Sequence, residues 1–459
     1  MPAPFTPPKP SARPDKVSMW RHVRLFRKDI ISAQPAKLYR AWMAEFRTPF
    51  FRSFLINQPD LVKTVLKERP DDFPKSDIVQ DSLADLLGNS VFVTNGEVWK
   101  SQRRIIDPAF EGGRLKYVFG AMADCAVDAV ARLKAEAGLG RDIEIEARTA
   151  HMAADVIFRT LFSLPITDDI AQAVFVQFRA YQRSQPLINL ASFVRLPRWM
   201  PRLRRRTTKT TGAAIRALIR QLVDRRMVEI AAGTAPDDLA TKIMTTVDPV
   251  TGQGFGPDEM VDQVAIFFLA GHETSASALA WALYLLAMDQ GAQDRVRAEV
   301  AEVMGDRAAT LSGVKKMTFT RDVFRETMRL YPPVPAMIRT NSCPENFRKR
   351  VVRKGSQVLV SMWYLHRHSR LWDKPDVFDP DRFGTANGKK CQREAYSPFS
   401  AGPRVCPGAG FAMIEGPLLL AALVRDFRFE LIEGETPVPV AHLTLRAKDG
   451  INLRVTPVG

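Results

Sequence analysis

The stretch Phe399-Ser-Ala-Gly-Pro-Arg-Val-Cys-Pro-Gly408 decides how the rest of this chain is read. Gly402 and Pro403 call for a tight turn, and Cys406 stands just before a run with helical spacing at 408–425. A thiolate placed there meets unpaired N–H groups and the positive end of the helix dipole, and both favour its deprotonated form. Gly408 lets the backbone come close to something flat, and Arg404 sets a cation beside an anionic group of the same ligand. Cys125, Cys343 and Cys391 lack such surroundings and read as buried, inert thiols. No CxxC pair occurs, which argues against zinc. A disulfide framework does not suit 459 residues, so a reducing cytoplasm is expected.

Working outward, Ala270-Gly271-His272-Glu273-Thr274 lies inside a long apolar run, 265–288. The run is long enough to span a membrane, but His272 and Glu273 would be costly in lipid, so it reads as a long buried helix. Within a helix, the Thr274 hydroxyl bonds back to the Ala270 carbonyl and opens the backbone ladder. Further on, Glu326 and Arg329 share a helix face, and Pro332 and Pro333 end that helix. Trp99 and Arg103, four apart, share another face.

Apolar spacing of three and four marks helices near 114–137, 147–163, 168–183, 211–232, 257–289, 292–304, 320–331 and 408–425. Short strands are expected at 50–57, at 351–362 and in two pieces towards the C-terminus. The fold class is therefore mainly α with small β-sheets. Residues 1–18 are Pro-rich and read as a flexible tail, with one domain over 19–459. Gly416-Pro417 is expected to kink or shorten its helix. The segment 191–207 mixes Phe193, Trp199 and Met200 with arginines, which suits a lip touching a membrane surface or an apolar ligand. No transmembrane segment is expected.

The pattern Phe-x-x-Gly-x-Arg-x-Cys-x-Gly resembles the haem-binding loop of the cytochrome P450 family. All five fixed positions match, at Phe399, Gly402, Arg404, Cys406 and Gly408, a coincidence expected roughly once in ten thousand chains of this size. The resemblance implies a single triangular haem domain with a long central helix. It implies haem b, with Cys406 as the iron ligand and Trp99, Arg103, Ala270, Gly271, Arg339, Phe399, Gly402, Arg404 and Gly408 around it. Trp99, Arg103, Arg339 and Arg404 would meet the propionates. Thr274 and Glu273 resemble the family's alcohol and acid, the first holding O2 and a water, the second reaching outside proton sources. Arg382 of FDPDRF would complete a buried Glu326–Arg329–Arg382 network. By position, Leu86, Leu87, Phe92, Phe267, Val334, Met337 and Leu443 would wall an apolar substrate pocket.

The implied activity is monooxygenation: one oxygen atom from O2 enters a C–H bond of an apolar small molecule of fatty-acid or terpenoid type. A peroxide-driven haem-thiolate hydroxylase and a non-catalytic haem-thiolate sensor are the alternatives, and neither needs the Glu273-Thr274 pair. With no flavin or iron–sulfur segment after the haem loop, electrons from NAD(P)H are expected through a separate protein. Lys+Arg number 66 against 50 Asp+Glu, a net charge of +16. The basic residues fall in short groups without a nucleic-acid motif, so an acidic ferredoxin or flavodoxin is the expected partner, docking near Lys389, Lys390 and Arg104.

Overall fold

Apolar residues at helical spacing become helices close to where the periodicity puts them. The computed structural model describes the chain apart from residues 1–4, 27, 48–51, 139, 185–205, 306, 442 and 459. Its main helices are α1 (Asp77–Leu87), α2 (Gly96–Phe110), α3 (Leu115–Ala137), α4 (Ile145–Phe162), α5 (Asp169–Ser184), α6 (Arg206–Ala231), α7 (Pro257–Met288), α8 (Gln290–Val303), α9 (Thr318–Leu330) and α10 (Ala409–Asp426). Of the 191–207 segment, residues 191–205 lie outside the described residues, and Arg206 opens α6.

Four strands, β1 (Met43–Arg47), β2 (Arg52–Ile56), β3 (Met337–Thr340) and β4 (Gln357–Val360), form one sheet in the order β1-β2-β4-β3. β2 runs parallel to β4, and the other neighbours are antiparallel. The strand expected over 351–362 is split. Arg350–Val352 pairs with Glu345–Phe347 in a separate ribbon, and Gly355, at φ 81°, turns the chain before β4. Sheet residues are thus gathered from both ends of the chain, while helices fill the middle.

α7 is the axis of the helical part. Pro257 occupies its first turn, where a missing N–H costs nothing, and the Glu259 carboxylate accepts from the Gly256 amide at 2.9 Å. From Ser275 to Ala287 every residue is buried, because α4, α6, α9 and α10 pack around it. Gly271 faces Ile157 of α4 so closely that a Cβ would collide with that side chain. Its smallness therefore serves helix packing as well as any space for a ligand. Among the described residues no helix is long and apolar enough to cross a membrane.

Two sequence expectations fail here. α10 is not shortened at Pro417; it runs unbroken from Ala409 to Asp426. One lost backbone hydrogen bond is outweighed by the complete burial of Leu418 to Leu420 beyond it, while Gly416 sits against the Phe324 ring of α9 where no Cβ would fit. The N-terminal tail also differs, being packed from Phe5 onward. The Phe5 carbonyl accepts from the Phe378 amide at 3.2 Å, the Pro8 carbonyl accepts from the Tyr331 hydroxyl at 2.7 Å, and Lys9 pairs with Asp376 at 2.5 Å. Prolines set the extended backbone, and these contacts anchor it.

α9 is fastened through its acid. Both Glu326 oxygens accept from Arg329 at 2.7 Å, and Oε1 also accepts from Arg382 Nε at 3.0 Å and from the Asp379 amide at 3.1 Å. The remaining guanidinium hydrogens go to carbonyls of residues 366–377. Burial alone would raise the Glu326 carboxyl, but Arg329 and Arg382 hold it below its ordinary value. Removing that charge leaves two buried guanidiniums short of a counterion, so Glu326→Gln should lower stability by roughly 3–5 kcal/mol. Urea denaturation at neutral pH measures it, and a loss under about 1 kcal/mol would contradict this account of the network.

Candidate active site

One cavity of about 440 Å³ lies between α7 and the loop that carries Cys406, and its wall is mostly apolar. Cys406, Ala270 and Thr274 present their surface to this cavity while remaining enclosed by the protein. The turn before the cysteine depends on Gly402. Its φ is +71°, and a Cβ there would strike the Leu66 carbonyl, so only glycine passes. Gly402 is not in the cavity wall, and its part is to shape the loop. The Cys406 amide donates to the Phe399 carbonyl at 2.9 Å, closing the loop. Burial pushes the thiol up, opposed by the Gly408 amide and by the nearby Arg103 charge.

A cluster of cations faces the same cavity: Lys75, Arg103, Arg339 and Arg404. Arg103 pairs with Asp107 at 2.8 Å and donates to the Val405 carbonyl at 2.7 Å. Among the described residues, no carboxylate comes within ion-pair distance of the other three. Arg404 donates to Asn95 Oδ1 at 2.9 Å and lies over the Trp99 ring, 4.1 Å from its centroid. Arg339 is buried in β3; its pKa is pushed down to about 10 by burial and then by Arg404, and burial likewise brings Arg404 to about 10. Lys75 Nζ donates to the Val91 carbonyl at 2.9 Å, and burial together with the three arginines holds its pKa well down. So much gathered positive charge requires an anion of at least two charges. A porphyrin with two propionates would meet that demand, and Cys406 is the residue in this wall that could hold its iron.

On α7 the Thr274 hydroxyl donates to the Ala270 carbonyl at 2.5 Å. Glu273, on the face of α7 next to Thr274 but turned away from Ser275, is not in the cavity wall. Its carboxylate is turned towards Thr444, whose hydroxyl donates to Oε1 at 2.5 Å, and towards Arg446 at 4.0 Å. Burial raises Glu273, and it raises Glu146, also beside Arg446, to about 7. The acid and the alcohol therefore sit on different sides of α7.

Of the other residues singled out by sequence, Trp99, Gly271, Phe399 and Gly408 are in the wall, as are Phe92, Phe267, Val334, Met337 and Leu443. Leu86 and Leu87 are not: both are fully buried in the core, and α1 contributes Ile78, Val79 and Leu83 instead. At that end of α1 the backbone of Asp85 and Leu86 lies against Gly212 of α6; Asp85 is still in the cavity wall, whereas Leu86 is turned into the core. Arg104, expected at a docking surface, is committed to Asp248, with Nε to Oδ1 at 2.6 Å and Nη2 to Oδ2 at 2.8 Å. Lys389 and Lys390 are exposed. Lys75, Ser275 and Glu415 were missed. None belongs to a motif, and Lys75 is held at the site by contacts distant in the chain, its bridge to Arg339 and the Asn95 side chain that bonds its backbone.

The family model described as Cytochrome P450 matches residues 37–455. Cyclooctat-9-en-7-ol 5-monooxygenase of Streptomyces melanosporofaciens is 30% identical over 455 residues, covering 94% of this chain and 94% of that protein. Cytochrome P450 4A11 of Homo sapiens is 33% identical over 419 residues, covering 86% of this chain and 78% of that one. In fold, the chain is similar to the crystal structure of the cytochrome P450DA heme domain. The TM-score is 0.83 at 24% identity, over 99% of this chain and 98% of that chain.

If Lys75 answers a ligand carboxylate, Lys75→Met should speed haem loss to a scavenger protein roughly 10- to 100-fold, as expected for one hydrogen bond to a charged group. An unchanged transfer rate would remove Lys75 from the cofactor site.

Proposed function

The chain belongs to the cytochrome P450 family and is a haem-dependent monooxygenase, and we propose that it hydroxylates a C–H bond of a fatty-acid- or terpenoid-like molecule. The observation that carries this reading is a single apolar cavity that brings together the Cys406 thiol, Thr274 and the cation cluster. The relative named for oxygenating cyclooctat-9-en-7-ol agrees with an apolar substrate.

When bound, the haem supplies thiolate-assisted O2 activation. In this reading Cys406 holds the iron, and Lys75, Arg103, Arg339 and Arg404 hold the propionates. Thr274, bonded to the Ala270 carbonyl, presents its oxygen lone pairs to the cavity, where a water finds an acceptor; turning its O–H away from that carbonyl would let it donate to O2. Glu273 exchanges protons with the Thr444–Arg446 side and delivers them once its carboxylate swings past α7. Phe92, Phe267 and Val334 exclude water and press the substrate against the reacting centre. The electrons come from NAD(P)H through an acidic ferredoxin or flavodoxin that meets Lys389 and Lys390, in a cytoplasmic setting that keeps all four cysteines reduced.

The reduced protein under carbon monoxide should show a strongly red-shifted Soret band that Cys406→Ala loses; if it does not, the haem-thiolate reading is wrong. With a bound substrate, Thr274→Ala should cut product formed per electron consumed by roughly 10²-fold, the lower range for a positioned proton-transfer group. Charge reversal at Lys389 and Lys390 should slow reduction by an acidic donor at low salt and lose that effect at high salt. Equal rates at low salt would place the docking surface elsewhere.

A further inference from the structure

Glu415 lies on α10, the helix that starts beyond Cys406, and forms part of the cavity wall. Its side chain is 1% exposed. Oε2 accepts from the Ser275 hydroxyl at 2.6 Å, and Oε1 has no hydrogen-bond partner. Ser275 directly follows Thr274 on α7, so one short hydrogen bond ties this carboxyl to the helix that carries the site. A fully buried carboxylate with one hydrogen bond and no cation is costly in its ionised form. Burial accordingly pushes Glu415 up to about 7, opposed only by the Ser275 hydroxyl.

The charged groups on the packed elements are turned elsewhere: on α3, Asp128 and Arg132 face Arg159 and Asp155, and on α8, Arg295 and Arg297 pair with Asp381 and Asp294. Glu326 and Arg329 of α9 are spent on Arg382, Arg425 and Asp426 at the far end of α10 pair with each other, and the Lys75–Arg339–Arg404 cluster acts on its own members. What α9 presents to the cavity near Glu415 is Phe324 and Met328. A carboxyl in such surroundings responds strongly to a change of charge in the cavity it lines, because little solvent or counter-charge screens it.

We propose that Glu415, held by Ser275, is a redox-linked proton site that takes up one proton when the bound cofactor gains one electron and releases it on reoxidation. The balance is simple. One electron comes from the redox partner, or from a chemical reductant in the test, and one proton from solvent forms an O–H bond at the carboxyl. Reduction adds negative charge beside the carboxylate and raises its proton affinity, and by linkage the proton makes reduction easier. This inference rests on the reading of the cavity as a Cys406-bound haem site.

The test is a spectroelectrochemical titration of the substrate-free holoenzyme between about pH 6 and about pH 8, around the value at which the carboxyl titrates. The potential should change little below the value at which the oxidised form titrates and fall as pH rises above it, with a slope of up to about 59 mV per unit, the tenfold change per unit converted for one electron. Glu415→Gln keeps an acceptor for Ser275 and should flatten the slope over that interval. A flat wild-type slope overturns the proposal, and so does a slope that Glu415→Gln leaves intact. Should that variant fail to retain haem, the reduced-minus-oxidised infrared difference spectrum of the wild type replaces it. That spectrum must gain a deuterium-sensitive carboxylic-acid C=O band, whose absence is equally fatal. A missing red-shifted carbon monoxide band would sink the haem-thiolate reading and this proposal together. A normal band with a flat slope would sink only the proton site.

Discussion

The Glu326 carboxylate is the point from which the cysteine loop hangs. Two guanidiniums share it, and both spend their other hydrogens on carbonyls between residues 366 and 377, so α9 and that irregular segment are one rigid piece. The chain after it is tied back to the same piece. The Ser397 amide donates to His366 Nε2 at 3.0 Å, and the Tyr396 hydroxyl donates to the Arg325 carbonyl at 3.0 Å. A loop without regular structure can hold a metal-binding thiol in place only when its anchors are buried and fully satisfied. Here the anchor is electrostatic, and the rigidity it confers is passed on through backbone carbonyls.

The cavity divides its charge unevenly. Lys75, Arg339 and Arg404 raise the potential on one part of the wall, whereas Glu415 faces none of them and Glu273 is turned out of the cavity altogether. A dianionic cofactor balances the cations, so the remaining surface can stay apolar and select substrates by shape. The acids stand at the margins of that surface. Each is buried enough to lie above the ordinary carboxylate range, Glu146 and Glu415 at about 7.

Much of this was legible in the sequence where the information is local. The cysteine loop is written in turn chemistry, the buried helices in their apolar period, and the Glu326–Arg329 pair in helix geometry. What escaped depends on distant partners. β3 is a short strand that exists because β4 and the Lys75 bridge flank it. The side of α7 that Glu273 occupies is fixed by Thr444 and Arg446, far away in the chain. Leu83 rather than Leu86 reaches the cavity because of how α1 packs between α6 and α7, both distant in the chain. Pro417 reads as a helix breaker until the packing around Gly416 and Leu418 is known, and the tail reads as disordered until Tyr331 and Asp376 are found beneath it.

That last contact bears on how the chain is assembled. Pro8 and its partner Tyr331 are 323 positions apart, and Lys9 and Asp376 are 367 apart. During synthesis the tail emerges long before its docking surface exists, so it stays unsatisfied until most of the polypeptide has left the ribosome. Closing so long a loop is slow, although its entropic cost grows only weakly with length. Residues 5–9 are thus made well before their partners and find their place late, and they clasp Tyr331, Asp376 and Phe378 only after the helical part is built. A bulky group attached beside Pro8 would therefore intrude on the final stage of maturation.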